Sequence, residues 1–551
     1  MTEQGIEELE NLAAGGAEAE IDEEELKARI RAESASVYNE DARKNQLRFS
    51  KLIQLGYSST KAAALMLAAA IIALIIANSA AYEPFLEIIE TELGFIFGSV
   101  HASMPFAEVI NDIYMAIFFL LVGLEIKYEM TAGELTNIRQ ALLPIIAACG
   151  GVLAPVVIYT VFNLGSPDSS HGWGVPTATD IAFALGILAL LGNRVPNGVR
   201  VFLSTLAVAD DIIAIIIIAV FYGQTPSLFW LGMAAIVMVV LFIMNRLHIY
   251  AITPYMLVGV VLWYCVFMSG VHSTIAGVLL AFTIPSGSRV NLRSFVDWSG
   301  QAVKRVTEIY QPEVPVSSQG GYLEAVSHFA RVARQTVPPA TRLERKLYPW
   351  VYFGILPLFA LTNADVSFLG GDLGAMITSP VFFGVFFGLL LGKPIGIMLF
   401  SFIVIKTKLA SLPENVNWFH MLGSAILGGV GFTMAIFVAN LAFPAHPELI
   451  VNAKVAILSA STLAGIIGFM FLFLQAKTAH AKGVAYLTTT APSATRQTAG
   501  AEAASKSREI LDKIESPLIK GEIEAAQSEK RSSSTEVVVE LGSDFDRSDK
   551  K

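Results

Sequence analysis

Twelve times between Ala62 and Leu474 the chain runs apolar for about 15–25 residues, long enough to cross a ~30 Å hydrocarbon core at ~1.5 Å per helical residue. In lipid every backbone polar group must be satisfied internally, so only helices and closed barrels can span. These runs are continuous rather than alternating, which argues against a barrel. The composition agrees: 54% of residues are hydrophobic and 15% charged, against roughly a quarter charged in soluble domains. The fold class expected is an all-α polytopic membrane protein. Its transmembrane helices are placed at about 62–81, 106–126, 140–162, 175–191, 200–222, 228–245, 250–268, 271–285, 349–368, 381–405, 420–442 and 453–475.

The connections orient these spans. Lys and Arg accumulate in cytoplasmic loops. Eight lie between Lys27 and Lys61, before the first span, and nine in the loop 286–348. The connections 82–105, 163–174, 223–227, 269–270 and 369–380 carry none. An even count with both termini cytoplasmic accounts for the alternation. Residues 1–60 are then an acidic N-terminal tail, mostly disordered, and the acidic start with no cleavable signal makes the first span a signal-anchor. Residues 61–476 form the membrane domain. Residues 477–551 form a mostly disordered cytoplasmic tail with one helical stretch around 503–526. Within the long loop, residues 321–334 have the spacing of an amphipathic helix lying on the cytoplasmic membrane surface, or of a spacer. Cys149 and Cys265 both fall in apolar runs, so neither a disulfide framework nor a cysteine metal site is expected.

Against this background a few charges stand out. In LAVADDIIAIIIIA of the fifth span, Asp210 and Asp211 lie about 15–17 Å along the axis from Arg200, close to the bilayer midplane. One Asp at helix centre costs ~2.5–3.5 kcal/mol, and two adjacent ones cannot both stay charged without a cation. Such a pair holds protons or a small cation in competition. Lys393, in GLLLGKPIGIMLF, lies halfway along the tenth span, and a Lys–Asp pair relieves the cost of burying both. Neighbouring residues on a helix point ~100° apart, so one Asp can face Lys393 while the other faces an ion cavity.

Two spans look broken. The fourth begins with Pro176 and Thr177 and carries Thr179 and Asp180. The eleventh has Gly428, Gly429 and Gly431 before Thr433. Half-helix ends carry about half a charge, and Asp180 could neutralise N-terminal ends while Lys393 neutralises C-terminal ends. Paired interrupted spans in two halves point to a transporter's ion site, which would make spans 3–5 and 10–12 inverted repeats. Glycines that merely allow close packing give the plainer reading.

PTATDIAFALG, LAVADDIIAI, GVHSTIAGVLL, LPLFALTNA, LLLGKPIGI and GVGFTMAIFVANLAF together resemble the motifs of the NhaA-type sodium/proton antiporters, over about residues 60–476. That family is itself among those on which the broken-helix pattern rests. The resemblance implies twelve spans with the fourth and eleventh discontinuous and crossing at mid-membrane. It implies Asp211 and Asp210 as the sodium-binding pair, Thr179 and Asp180 as broken-helix residues, and Lys393 as their partner. It places Asp112, Glu125 and Glu129 at the entry funnel and pH-response region. It implies an electrogenic, pH-dependent exchanger of sodium or lithium for more than one proton, a homodimer in the bacterial inner membrane, with no cofactor and no nucleic-acid partner. The chain departs from the family at Tyr128, where a basic residue is usual, at Asp365, where Gly is usual, and in its long loop and tails. Other readings are an intramembrane aspartyl hydrolase using Asp180 and Asp211, the same fold carrying another solute, and a pH sensor.

Overall fold

A computed structural model describes residues 58–481, apart from 98, 99, 137, 224, 368–372 and 414. The expected tails lie outside these residues, except 58–60 and 477–481. Among them, seven helices are long and apolar enough to cross a membrane: α1 (Ser59–Ala77), α3 (Phe106–Thr131), α4 (Ile138–Phe162), α7 (Asn197–Phe221), α8 (Leu228–Arg246), α16 (Pro380–Lys406) and α19 (Pro447–Ala481). Two bent pairs bring the number to nine. They are α5 (Pro167–Thr177) with α6 (Ile181–Leu190), bent by 43°, and α17 (Trp418–Gly428) with α18 (Phe432–Ala442), bent by 45°. Shorter helices α9 (Ile252–Met268), α10 (Ile275–Thr283) and α14 (Leu356–Asn363) lie where the seventh, eighth and ninth spans are expected. The protein is a mostly helical, multi-pass membrane protein.

The remaining elements connect these. Helix α2 (Tyr82–Glu90) and an antiparallel hairpin of β1 (Glu92–Phe97) and β2 (Val100–Pro105) join α1 to α3. The stretch 163–174, read above as a connection, is mostly helical from Pro167. Its glycines and polar residues mask a 3₁₀ segment that sequence periodicity does not reveal. The long loop is built of helices α11 (Leu292–Ile309), α12 (Gly320–Gln335) and α13 (Pro339–Trp350), so it is no featureless spacer. Helix α15 (Leu373–Thr378) precedes α16.

Close packing fixes α16 against α4. A Cβ on Gly150 would sit 2.4 Å from the Gly396 carbonyl, and one on Gly396 would sit 2.0 Å from that of Gly150. Only glycines permit this approach. A π-helical turn, Gly388–Gly392, immediately precedes Lys393, and such turns are frequent at functional sites.

Candidate functional site: a buried ion site between two broken helices

Each broken span unwinds for three residues, 178–180 and 429–431. The two breaks touch: the Asp180 amide donates to the Val430 carbonyl at 2.8 Å. A Cβ on Gly429 would lie 2.5 Å from the Leu389 carbonyl of α16, so a side chain there would push the break away from Lys393's helix. Unwound backbone leaves helix ends bare inside the protein, and those ends need partners.

Asp180 serves two of them. Its Oδ1 accepts from the Phe183 amide at 3.0 Å, capping α6. Its Oδ2 accepts from the Thr433 amide at 3.2 Å and from the Thr433 hydroxyl. One carboxylate therefore meets both half-helix N-termini, where a negative charge is favoured. The Phe432 amide, also at the start of α18, donates to Ser461 Oγ of α19 at 3.1 Å.

The C-terminal end of α17 is reached through Thr179. The Thr179 hydroxyl lies 3.1 Å from the Gly428 carbonyl and also contacts Asp210 Oδ2; its single hydrogen serves one at a time. Lys393 Nζ donates to Thr179 Oγ1 and Asp210 Oδ2. Among the described contacts Lys393 makes none with the C-terminal end of α17, and Thr179 stands between them. Asp210 and Asp211 stand at the middle of the 25-residue α7. Thr179, Asp180, Asp210, Asp211, Lys393 and Thr433 are each at most 3% exposed, so charge here has little help from water.

The adjacent carboxylates differ. Asp210 Oδ2 is paired with Lys393, whereas Asp211 Oδ1 is buried without a hydrogen-bond partner among the described residues, as is Asp210 Oδ1. A small recess lined by Thr179, Asp210 and Gly428, with Leu203, Leu206 and Ile397, lies beside Asp210. No group of three His, Cys, Asp or Glu is placed to hold a metal among the described residues. Two carboxylates, a hydroxyl and unwound carbonyls remain, a hard-oxygen set suited to an alkali cation or a proton.

Comparisons with known proteins point to one family. A family model described as Na+/H+ antiporter 1 matches residues 54–472. The chain is 39% identical over 411 residues to a Wolinella succinogenes protein named Na(+)/H(+) antiporter NhaA, covering 74% of this chain and 89% of that one. It is 42% identical over 419 residues to a Helicobacter pylori protein of the same name, covering 75% and 93%. A third of that name, from Oleidesulfovibrio alaskensis, is 44% identical over 410 residues, covering 74% and 90%.

The chain belongs to the NhaA family of Na+/H+ antiporters.

Membership in a transporter family sets aside the hydrolase reading: the protein is not an enzyme. Among the other positions that the NhaA resemblance singles out, Glu125 is near enough to act on Asp211. Asp112 accepts from Ser273 Oγ at 2.7 Å, tying α3 to the segment entering α10. Glu125 is near enough to interact with Tyr352, in the π-helical turn before α14. Glu129 lies at the end of α3, near enough to act on both Glu125 and Glu344. Glu344, on α13, is raised above the ordinary carboxylate range by burial, against the pull of Arg345 and with the push of Glu129. Of the departures from NhaA pattern, Asp365 accepts from Lys454 of α19 at 2.8 Å, and Tyr128 is exposed at the end of α3.

Several polar residues join this architecture without standing out in the sequence. Asn440 of α18 donates to Asn363 Oδ1 at 2.8 Å, and Asn363 donates to Asn111 Oδ1 at 3.0 Å. This amide chain links α18, α14 and α3, seven residues beyond Thr433 along α18. Ser461 and Tyr352 belong with them. Each is short or aromatic in an apolar run, and its partner is far off in sequence, so residue patterns gave no signal.

Proposed function

We propose that the chain exports sodium in exchange for more than one proton by alternating access, with Asp210, Asp211, Thr179, Asp180 and Lys393 as its ion site. The observation that carries this reading is the split of the carboxylate pair: Asp210 is held by Lys393 while Asp211 Oδ1 has no protein partner among the described residues. A buried carboxylate in that condition needs a proton or a cation. Protons and sodium compete for the same oxygens, and that competition couples their fluxes.

The cycle follows from the contacts. With the pair deprotonated, sodium binds chiefly at Asp211, helped by Asp210, Thr179 or an unwound carbonyl, and water. As the cation nears Asp210, the Lys393 bond weakens. Movement of one helix bundle then exposes the site outward, sodium leaves, and protons replace it. If two protons enter per sodium, one net charge crosses, worth ~2.3 kcal/mol per 100 mV. An interior-negative potential then drives sodium out. Lithium, a smaller cation of the same charge, is a substrate on this reading.

The architecture we read around the site has twelve spans with spans 3–5 and 10–12 as inverted repeats, the two broken helices crossing at mid-membrane. The 43° and 45° bends, the contact between breaks, and Asp180 serving both N-termini support it. Asp112, Glu125 and Glu129 are assigned to the entry funnel and pH response. The Lys/Arg distribution supports cytoplasmic termini, and the named relatives, all bacterial, support the inner membrane. A homodimer is the assembly we assign.

The test is exchange in everted vesicles. Sodium should release protons from wild-type vesicles, and Asp211→Asn should abolish this release. Retained exchange in that variant would overturn the assignment.

A further inference from the structure

The cytoplasmic loop carries an amphipathic device with no part in the ion cycle. Helices α11 and α12 pack side by side and antiparallel. Trp298 stacks on Phe329 with ring centres 5.8 Å apart, and Tyr310 meets Tyr322 at 5.2 Å. The turn is fixed by Gln319, whose amide donates to the Gln311 and Val314 carbonyls at 2.8 and 2.7 Å. The base is closed where the chain leaves and rejoins the membrane domain: the Ala340 amide donates to the Pro285 carbonyl at 3.2 Å, and Arg342 to that of Tyr250 at 3.1 Å. The hairpin therefore has a defined root at the ends of α9 and α10.

Helical phase shows what it presents. At about 100° per residue, Phe295, Trp298, Ala302 and Val306 share the face of α11 turned to α12. A quarter-turn further in the chain sense lie Leu292, Val296 and Val303, which are 60%, 43% and 52% exposed. On α12, Tyr322, Ala325 and Phe329 face inward, and a quarter-turn further in the same sense come Leu323, Val326 and Ala330, all exposed. Between antiparallel neighbours an equal offset in the chain sense brings both stripes to one side. The hairpin thus carries one continuous apolar face.

Charge borders that face. Arg293 and Lys304 flank it on α11, and Arg331 and Arg334 on α12, all exposed. Asp297, Glu308 and Glu324 lie beyond them, further from the apolar side. The loop 286–348 has nine Lys/Arg against five Asp/Glu, in a chain of net charge −9. An apolar stripe edged by basic residues, rooted at a membrane surface, has the composition of an interfacial element. The cytoplasmic leaflet carries the negative surface potential that attracts such edges.

We propose that the α11–α12 hairpin lies on the cytoplasmic membrane surface, with its apolar face in the interface and Arg293, Lys304, Arg331 and Arg334 on anionic lipid headgroups. This assignment rests on the protein spanning a membrane and not on what it transports. The test is hydrogen exchange of segments 292–309 and 320–335 in the full-length protein, in nanodiscs of phosphatidylcholine alone or mixed with phosphatidylglycerol. Exchange should be several-fold slower in the anionic discs. The variant R293Q/K304Q/R331Q/R334Q should lose that difference while keeping the phosphatidylcholine rate, which shows the hairpin still folded. V303D/L323D should exchange fast in both discs. Equal exchange of the wild type in the two lipids would overturn the proposal. So would protection that follows protein concentration in detergent, which indicates a second copy, or cross-links from Lys304 to residues 482–551, which place the tail on this face.

Discussion

Among the described residues two buried or half-buried lysine–aspartate pairs stand in contrasting surroundings. Lys454 and Asp365 join α19 to the segment after α14 at 2.8 Å, with side chains 11% and 16% exposed. Lys393 and Asp210 join α16 to α7, with side chains 1% and 4% exposed. The chemistry of the two pairs is the same, but their surroundings differ. Lys454–Asp365 is partly open to solvent and, among the described residues, has no second carboxylate in contact. Lys393–Asp210 is almost wholly enclosed, shares Thr179, and has Asp211 next in sequence with an oxygen that has no partner among the described residues. A salt bridge holds structure when nothing competes for either end. It becomes part of a mechanism when a neighbouring carboxylate lets a cation replace the lysine.

Substitutions can break that contrast, and the largest effect is expected at the enclosed pair. Lys393→Ala leaves Asp210 buried without its counter-charge, which costs about 3–5 kcal/mol at such sites. Its transport should be lost, or no longer respond to membrane potential. A thermal-melting series in detergent, paired with vesicle exchange at imposed potentials, reads both. Lys393→Met separates the effects, since it removes the charge while keeping the stem.

Thr179→Val comes next. It removes a hydroxyl that touches Asp210, Lys393 and the Gly428 carbonyl, and buried polar groups left unmatched cost about 1–3 kcal/mol. The half-saturating sodium concentration should rise several-fold, while Thr179→Ser should restore it. An unchanged sodium affinity in the valine variant would remove Thr179 from the site.

At the outer pair the expectation is small. Asp365→Asn should lower stability by about 1 kcal/mol or less, the usual range for ion pairs that water can reach, and leave exchange as it was. A loss of transport comparable to Lys393→Ala would erase the distinction drawn above.

The smallest effect concerns Glu344. Burial raises it, so its proton is held more tightly in the folded chain than in the unfolded one. Its contribution therefore favours the fold below the unfolded pKa and is lost as pH rises through the folded value. Glu344→Gln should flatten the fall of melting temperature from mildly acid to neutral pH. An unaltered slope would show that Glu344 is not a source of it.

Which of these features the sequence reveals follows from cost. Asp210, Asp211, Asp180 and Lys393 stand out because an unpaired charge in lipid is too expensive to be incidental, and the glycines at 428, 429 and 431 mark the break beside them. The amide chain Asn111–Asn363–Asn440 does not stand out. An asparagine in an apolar run is cheap enough to pass as packing, and its partners are 252 and 77 residues away. The half-helix from Pro167 passes for a loop because its Gly and Ser residues carry no helical period. In the long loop the periodicity of α12 is visible, but the shared face appears only once α11 is folded against it.

The most direct test of the central claim is the sodium dependence of exchange in everted vesicles, from mildly acid to alkaline pH, with and without a membrane potential. If protons and sodium compete for Asp210 and Asp211, the half-saturating sodium concentration should fall steeply as pH rises, by up to tenfold per unit for each proton displaced, and the rate should respond to potential. A half-saturating concentration that does not change with pH would contradict competition at this pair.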